Sequence, residues 1–341
     1  MQIEIRVHER FDEIDAQEWD CLVETARAPA FYSSAFLSAY ERSPLQAAQA
    51  IFYIAVRERV GKQLLAVLPA YLQTIDDPAG DVSSVVEAPE TGSGLILLTH
   101  VVHCYDSYLP AIELNSVLVA SIVAVLADLA AQTGADYFGF LHVDAASPLP
   151  ELLREVGMRI VPMESRFNRN VAEFEDVESY ISAMPSPKAR RNLRRYYRQA
   201  DRHGITVEVG NGTVNHLVSA VELCHLTAAQ HGTPTYYPRA AMSDFIARLG
   251  ETVQLLSVKQ GDLLIAAAFC LKDRYRYHFW ACGIRSGEYG PISPFGLLFY
   301  RAIYETTHNG IPVLECGRGN ETFKHRHGLR PVPTLGCISQ P

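Results

Sequence analysis

The 341-residue chain lacks most of the short motifs that announce a chemistry. It has no G-x-S-x-G, no H-E-x-x-H, no G-x-x-x-x-G-K-[ST] and no G-x-G-x-x-G after a strand. That argues against a serine-elbow hydrolase, a zinc protease, a P-loop NTPase and a dinucleotide-binding fold. The seven cysteines (Cys21, Cys104, Cys224, Cys270, Cys282, Cys316 and Cys337) are odd in number and form no C-x-x-C, so they read as reduced, mostly buried thiols. His225 and His231 stand six residues apart on or beside one helix and fall on different faces, so no metal site is expected. Met1–His8 alternates like a strand and has none of the features of a secretion leader, which places the protein in the cytoplasm as an expectation. The longest apolar stretch, Leu114–Ala131, is broken by Asn115, Ser116, Ser121 and Asp128. It falls short of the roughly 20 clean residues of a membrane span and reads as a buried helix.

With 48 % apolar residues, 20 % charged and 22 glycines, the composition is that of a globular chain. At roughly 100–200 residues per domain, about two domains are expected. An internal repeat places them. Ile51–Thr74 reads strand, turn at Gly61, strand, and Val253–Lys272 reads the same about Gly261. Each hairpin is followed by an apolar helix (114–131 and 295–307), a glycine (Gly134 and Gly310), a strand (136–143 and 312–317) and a second matching stretch, Gly157–Pro162 against Gly328–Pro333. Two copies of one α/β unit follow, residues 1–165 and 166–341, each a mixed sheet flanked by helices.

Two clusters stand out for chemistry. Lys188–Arg202 carries seven basic residues against one acid, +6 within a chain of −8, which leaves −14 on everything else. Ser186-Pro187 starts a helix there, with Leu193, Tyr196, Tyr197 and Ala200 inward and Lys188, Arg191, Arg195, Arg198 and Arg202 along an outer stripe. With Arg194 beside them these guanidinium forks suit phosphate, and the bland reading is a solvated face or arginines paired with acids. The second cluster runs from Glu315 to Gly328 after a buried strand. It offers Glu315 or Glu321 as a general base, Lys324 as a cation for an oxyanion or phosphate, and Arg318 for substrate. A charged surface turn is the bland alternative. His278 and Trp280, on one face of a neighbouring strand, are candidates to line a substrate cleft.

The paired hairpin–helix–strand units, the basic helix before the second, and the run E-x-G-x-x-x-E-x-x-K-x-x-x-G-x-x-P-V-P-T from Glu315 to Thr334 resemble the tandem-domain acyltransferases of the GNAT superfamily. Fem-type peptidyltransferases and their peptidoglycan-biosynthesis-like relatives are the nearest in layout, and the lysine of their F-K motif falls on Lys324. The resemblance implies transfer of an activated acyl group to an amine without a metal or a bound cofactor. Acyl-CoA enzymes of the superfamily seat the pyrophosphate through [QR]-x-x-G-x-[GA] at a helix N-terminus. Here Arg285–Pro294 has Glu288 in place of the first glycine and two prolines, and Asp106–Glu113 has no glycine at all. An aminoacyl-tRNA donor is therefore expected, lying on Lys188, Arg191, Arg194, Arg195 and Arg198, with a small amine-bearing acceptor, a cell-wall precursor or a specialised metabolite. Acyl-CoA-dependent N-acyl transfer is the alternative, and non-catalytic carbohydrate or peptide binding a third reading. Lys324→Met is expected to lower turnover far more than stability.

Overall fold

The computed structural model describes residues 2–87 and 92–341. Two compact units emerge: unit 1 runs through Arg166 and takes in Val332–Pro341, and unit 2 is Phe167–Pro331. Unit 1 comprises β1 (Ile3–His8), α1 (Ala16–Thr25), α2 (Ser34–Arg42), β2 (Ala50–Glu58), β3 (Leu64–Thr74), β4 (Leu95–Leu98), α3 (Ser116–Thr133), β5 (Tyr137–Asp144), α4 (Leu149–Glu155) and the start of β6 (Arg159–Asn170). Unit 2 comprises the end of β6, then α5 (Val177–Ala183), α6 (Pro187–Gln199), β7 (Ile205–Asn211), α7 (Leu217–Gln230), α8 (Arg239–Leu249), β8 (Val253–Gln260), β9 (Leu263–Lys272), β10 (Arg276–Ile284), α9 (Pro294–His308), β11 (Val313–Glu315), α10 (Glu321–Arg326) and the first residues of β12 (Arg330–Ser339).

With α5 and α6 set aside, both units follow one order: strand, two helices, three strands, helix, strand, helix, strand. Their pairings repeat too. β1–β2, β2–β3 and β3–β4 are antiparallel and β4–β5 parallel; β7–β8, β8–β9 and β9–β10 are antiparallel and β10–β11 parallel. A parallel neighbour needs a crossover, and the apolar helices α3 and α9 supply it. The hairpin turns at Gly61 and Gly261, with φ of 84° and 57°, fall between the second and third strands of their units, as the repeat requires.

The sixth strands are exchanged. β5 pairs with β12 (Leu335↔Val143, Ile338↔Gly139), and β11 pairs with the end of β6 (Leu314↔Arg169, Glu315↔Asn168). Residues 332–341, which the sequence reading put in the second domain, thus complete the sheet of the first. Gly139 on β5 records how close β12 approaches, for a Cβ there would lie 2.1 Å from the Cys337 carbonyl oxygen.

Unit 2 is a three-layer sandwich. Leu193 of α6 and Leu297, Leu298, Phe299, Ala302 and Ile303 of α9 bury against Leu256, Val258, Ala266, Ala268, Tyr277 and Phe279 of the sheet. Each large apolar side chain buried there contributes roughly 1.5–3 kcal/mol. On the other face α7 lies directly on β10, since a Cβ at Gly283 would come within 2.1 Å of the Leu223 backbone. In unit 1, α3 is capped by Asn115, which accepts from the Leu118 amide, and stopped by Gly134 in the left-handed region. The expected buried helix holds for one face only: Leu118, Ile122, Leu126 and Leu129 are buried, while Val117 is 66 % exposed. By length and composition alone this helix would suit a membrane span, but only 33 % of its apolar window is buried within the protein.

Because β12 completes unit 1, a chain ending at Pro331 is expected to lose amide-exchange protection throughout β5 while β8 and β9 keep theirs. Unchanged protection in Tyr137–Asp144 would show that the exchanged strand is dispensable.

Candidate functional site

β10 and β11 share three ladder positions, Arg276↔Val313, Tyr277↔Leu314 and His278↔Glu315. They then part. β10 continues to Ile284 with a bulge between Phe279 and Ala281, so that Trp280 is the extra residue. The chain after β11 stays with β6: the Cys316 amide donates to the Phe167 carbonyl and the Phe167 amide to the Gly317 carbonyl, both at 2.8 Å. A cleft therefore opens between β10 and β11 immediately past Glu315.

Side-chain alternation sorts the expected residues around this cleft. Tyr277 and Leu314 join the cluster under α6 and α9. Their successors His278 and Glu315 consequently face the α7–α8 side, as neighbours on adjacent strands about 4.8 Å apart. Both are fully buried. Trp280 lies on the same side, edge-on to Tyr237 at 6.1 Å and to Phe245 of α8 at 6.0 Å. Burial pushes the Tyr237 hydroxyl well up, with the nearby Arg318 charge acting the other way. Glu315, His278, Trp280 and Arg318 are thus brought into one neighbourhood, with Glu315 and His278 both beneath the surface. Glu321 is elsewhere, exposed on the first turn of α10.

Lys324 is buried, 6 % exposed, and its Nζ donates to the carbonyl oxygens of Gly317 at 2.8 Å and Arg318 at 2.6 Å. Its ammonium also sits 5.1 Å from the Phe167 ring centroid. The loop it clamps is locally unusual: Gly317, Gly319 and Asn320 all have left-handed backbones, φ 61°, 69° and 48°. Lys324 therefore fixes the turn that carries Arg318. Its charge is felt at Cys282 and Cys316, whose thiols burial nevertheless pushes up, Cys282 to about 11. Such thiols stay protonated and are poor nucleophiles.

The basic helix α6 begins at Ser186, whose hydroxyl accepts from the Ala189 amide, with Pro187 in its first turn. Lys188, Arg191, Arg195, Arg198 and Arg202 are exposed along one stripe. Arg194 leaves that set, because its Nε donates to Glu178 at 2.7 Å and its terminal nitrogen to Ser182 at 2.9 Å. Tyr196 packs on the first turn of α9, where a Cβ at Gly296 would lie 2.6 Å from its ring. The α9 N-terminus beside it offers few amides: Pro294 has none, and the Gly296 amide is taken by the Ser293 hydroxyl at 3.1 Å. Fewer free amide donors are left there than a helix N-terminus ordinarily presents.

In unit 1 the corresponding gap is partly filled, and a cavity of about 130 Å³ remains beside Ser107, Leu109 and Asp144. The segment after β4 returns to both sides of the gap: the Ser107 amide donates to the His142 carbonyl, the Val67 amide to Pro110, and the Ile112 amide to Leu65. Bridges Ser107↔Val143 and Ala66↔Ala111 complete this filling. His100 within it lies 2.9 Å through Nε2 from the Phe31 carbonyl and accepts at Nδ1 from the Val101 amide, which assigns the Nε2–H tautomer. Burial holds its pKa down to about 3.

Sequence reasoning missed Asp273, Tyr237 and Phe167. The first sits in a tight turn, accepting from the Tyr275 and Arg276 amides, and an aspartate three residues before a strand was its only signal. The others depend on which strands and loops meet. Among the described residues, no three His, Cys, Asp or Glu side chains are grouped to hold a metal.

Residues 187–325, which span α6 to α10 and so contain the whole cleft, match the family described as Acetyltransferase (GNAT) domain. That segment of unit 2 is accordingly a GNAT acyltransferase domain. The architecture of the chain is that of the tandem proteins. FemX is 10 % identical with a TM-score of 0.66, covering 98 % of this chain and 97 % of its own. The C-terminal domain of a putative lysylphosphatidylglycerol synthetase from Agrobacterium fabrum is 11 % identical at a TM-score of 0.60, covering 97 % and 93 %. A tandem GNAT protein from the clavulanic acid biosynthesis pathway is 12 % identical at 0.56, covering 99 % and 98 %. No curated protein matches the chain in sequence.

Two outcomes follow. Lys324→Met leaves two buried carbonyls without their charged donor, so it should destabilise by roughly 2–4 kcal/mol as well as slow turnover; thermal unfolding checks this, and an unchanged melting temperature would return Lys324 to a purely chemical role. Unfolded His100 binds a proton below about 6.5, whereas the folded ring waits until about 3. Its contribution is therefore complete above pH 6.5 and lost progressively as pH falls to 3, at up to about 1.4 kcal/mol per pH unit. Denaturant unfolding of the protein and of His100→Gln between pH 7 and 4 should show the shallower slope in the variant.

Proposed function

We propose that unit 2 moves an aminoacyl group from aminoacyl-tRNA to a small amine-bearing acceptor and forms an amide. One observation carries the donor choice: an exposed basic stripe, Lys188, Arg191, Arg195 and Arg198 on α6 with Arg202 in the turn after it, beside an α9 N-terminus depleted of amides. A polyanion gains from the first and does not need the second. Glu315, at the point where β10 and β11 part, takes one proton from the acceptor, which arrives as an ammonium. The amine so formed attacks the ester carbonyl, the C–N bond forms, and the ester C–O bond breaks as a second proton from that nitrogen passes to the departing ribose oxygen, so the proton held by Glu315 remains to be released. Arg318, on the loop held by Lys324, faces the negative charge that develops on the carbonyl oxygen. Trp280 and Tyr237 give the cleft an apolar wall that raises the effect of these charges. Two of the similar folds, FemX and the lysylphosphatidylglycerol synthetase domain, bear names that speak for aminoacyl transfer.

Acyl-CoA transfer is the second reading, favoured by a cavity of about 600 Å³ lined by Ile284–Gly290 and Ile292–Pro294 at the start of α9. Salt separates the two. Each phosphate neutralised adds roughly 0.7–0.9 to the slope of log affinity against log salt, so a tRNA donor gives a steep dependence and a CoA donor a shallow one. The double variant Arg195→Glu, Arg198→Glu should flatten the slope, while Arg194→Gln should change it less because Glu178 already neutralises that side chain. Salt-insensitive donor use would turn the reading to acyl-CoA.

A further inference from the structure

Glu315 is fully buried, and a base that takes a proton in every turnover must also return it. When the acceptor occupies the cleft, the route back through the cleft is closed. The opposite end of the same strand pair offers another. His278 is the register neighbour of Glu315 on β10 and shares its sheet face. Its Nε2 lies 3.5 Å from Oδ2 of Asp273, in the turn that joins β9 to β10. That distance is long for a hydrogen bond and closes with a small ring rotation. The Asp273 side chain is 16 % exposed, so the row Glu315, His278, Asp273 leads from the buried base to water.

We propose that His278 and Asp273 are a proton exit for Glu315, a role that rests on the acyl-transfer reading above. The protonated Glu315 gives its proton to one imidazole nitrogen, the other nitrogen passes its own proton to the Asp273 carboxylate, and Asp273 releases it to water at the turn. The ring ends neutral with its tautomer reversed, and a rotation resets it. The charged groups about this row are Asp273 and Arg276 from the turn, Glu315 on β11 and Lys324 beyond it. β9 presents Leu271 as the register partner of His278. From the α7–α8 side come Cys224 and Tyr237, both kept protonated by burial. Burial works against the Asp273 charge, yet the His278 contact and the Arg276 charge hold its carboxyl below the ordinary range, so the pair is already coupled at rest.

Asp273→Asn tests the exit with little risk to the fold, because Asn retains an Oδ1 that accepts from the Tyr275 and Arg276 amides and removes only the ionisable group at Oδ2. In the full chain, donor and acceptor KM should stay within about twofold and kcat fall about tenfold or more, with a raised solvent deuterium isotope effect on kcat. Asp273→Glu should recover part of the rate. A kcat, pH profile and isotope effect equal to those of the unaltered protein would overturn the relay and leave the transfer reading intact. An activity-free measurement stands beside it: carboxyl-carbon NMR titration of Asp273 should move upward in His278→Gln, and an unmoved titration overturns the coupling. If the unaltered protein transfers from neither aminoacyl-tRNA nor acyl-CoA, the reading on which the relay rests fails, whatever the titration shows.

Discussion

The organisation of unit 2 depends on β11 having to satisfy two partners. For three residues it bonds to β10 on one side and to β6 on the other, and beyond Glu315 it keeps only the second bond. A ladder abandoned on one side opens a wedge at that point, and the last residue before the wedge is the buried carboxylate. The turn beyond it must reverse within a few residues, which explains the left-handed backbone at Gly317, Gly319 and Asn320 and the lysine that binds the carbonyls such a turn exposes. Chemistry and backbone geometry thus share one cause.

Unit 1 shows what happens when the same wedge is filled. Its topology matches strand for strand, yet residues 107–112 bond across to β3 and β5, and the buried Asp106 forms an ion pair with Arg166 at 3.1 Å while Asp144 pairs with it at 3.0 Å. Removing one member of such a buried cluster leaves an uncompensated charge, so the filling is costly to undo. In unit 2 the corresponding stretch, residues 285–293, carries Gly287 and Gly290, and turns back on itself through Tyr289, which donates to the Arg285 carbonyl and accepts from the Ile292 amide through its own. One fold therefore yields a unit whose gap is largely filled and one whose gap is not, and the difference lies in a single loop.

Much of the fold was legible in the sequence because it is local. Glycine at a hairpin tip, Ser-Pro at a helix start and Gly134 after an apolar helix each dictate a backbone conformation without reference to distant residues. The repeat was legible for the same reason. The exchange of β6 and β12 was not, since an alternating strand carries no mark of which edge it will join. The site was half legible. Glu315, His278, Trp280 and Arg318 sit near the cleft because strand alternation put them there, but alternation did not reveal that His278 would be sealed in. Lys324 looked like a free cation because the carbonyls it holds exist only once the turn is formed. Arg194 looked like part of the stripe because Glu178 approaches it only when α5 folds against α6.

Stability does not account for the stripe. Exposed ion pairs contribute about 0–1 kcal/mol, and like charges at helical spacing cost a similar amount. A helix with basic residues at 188, 191, 195 and 198 on one face, continued by Arg202 in the turn beyond it, therefore gains nothing from them in the free protein. Its stability comes instead from the opposite face, where Ala189 and Leu193 are buried and Tyr196 closes over Gly296. That packing holds the charged face rigidly next to the start of α9, and rigid placement lowers the ordering cost of recognising a polyanion. Arg194, neutralised within the unit, shows the contrast: where a basic residue of this helix serves structure, an acid stands beside it, and along the outer stripe no such acid is found among the described residues.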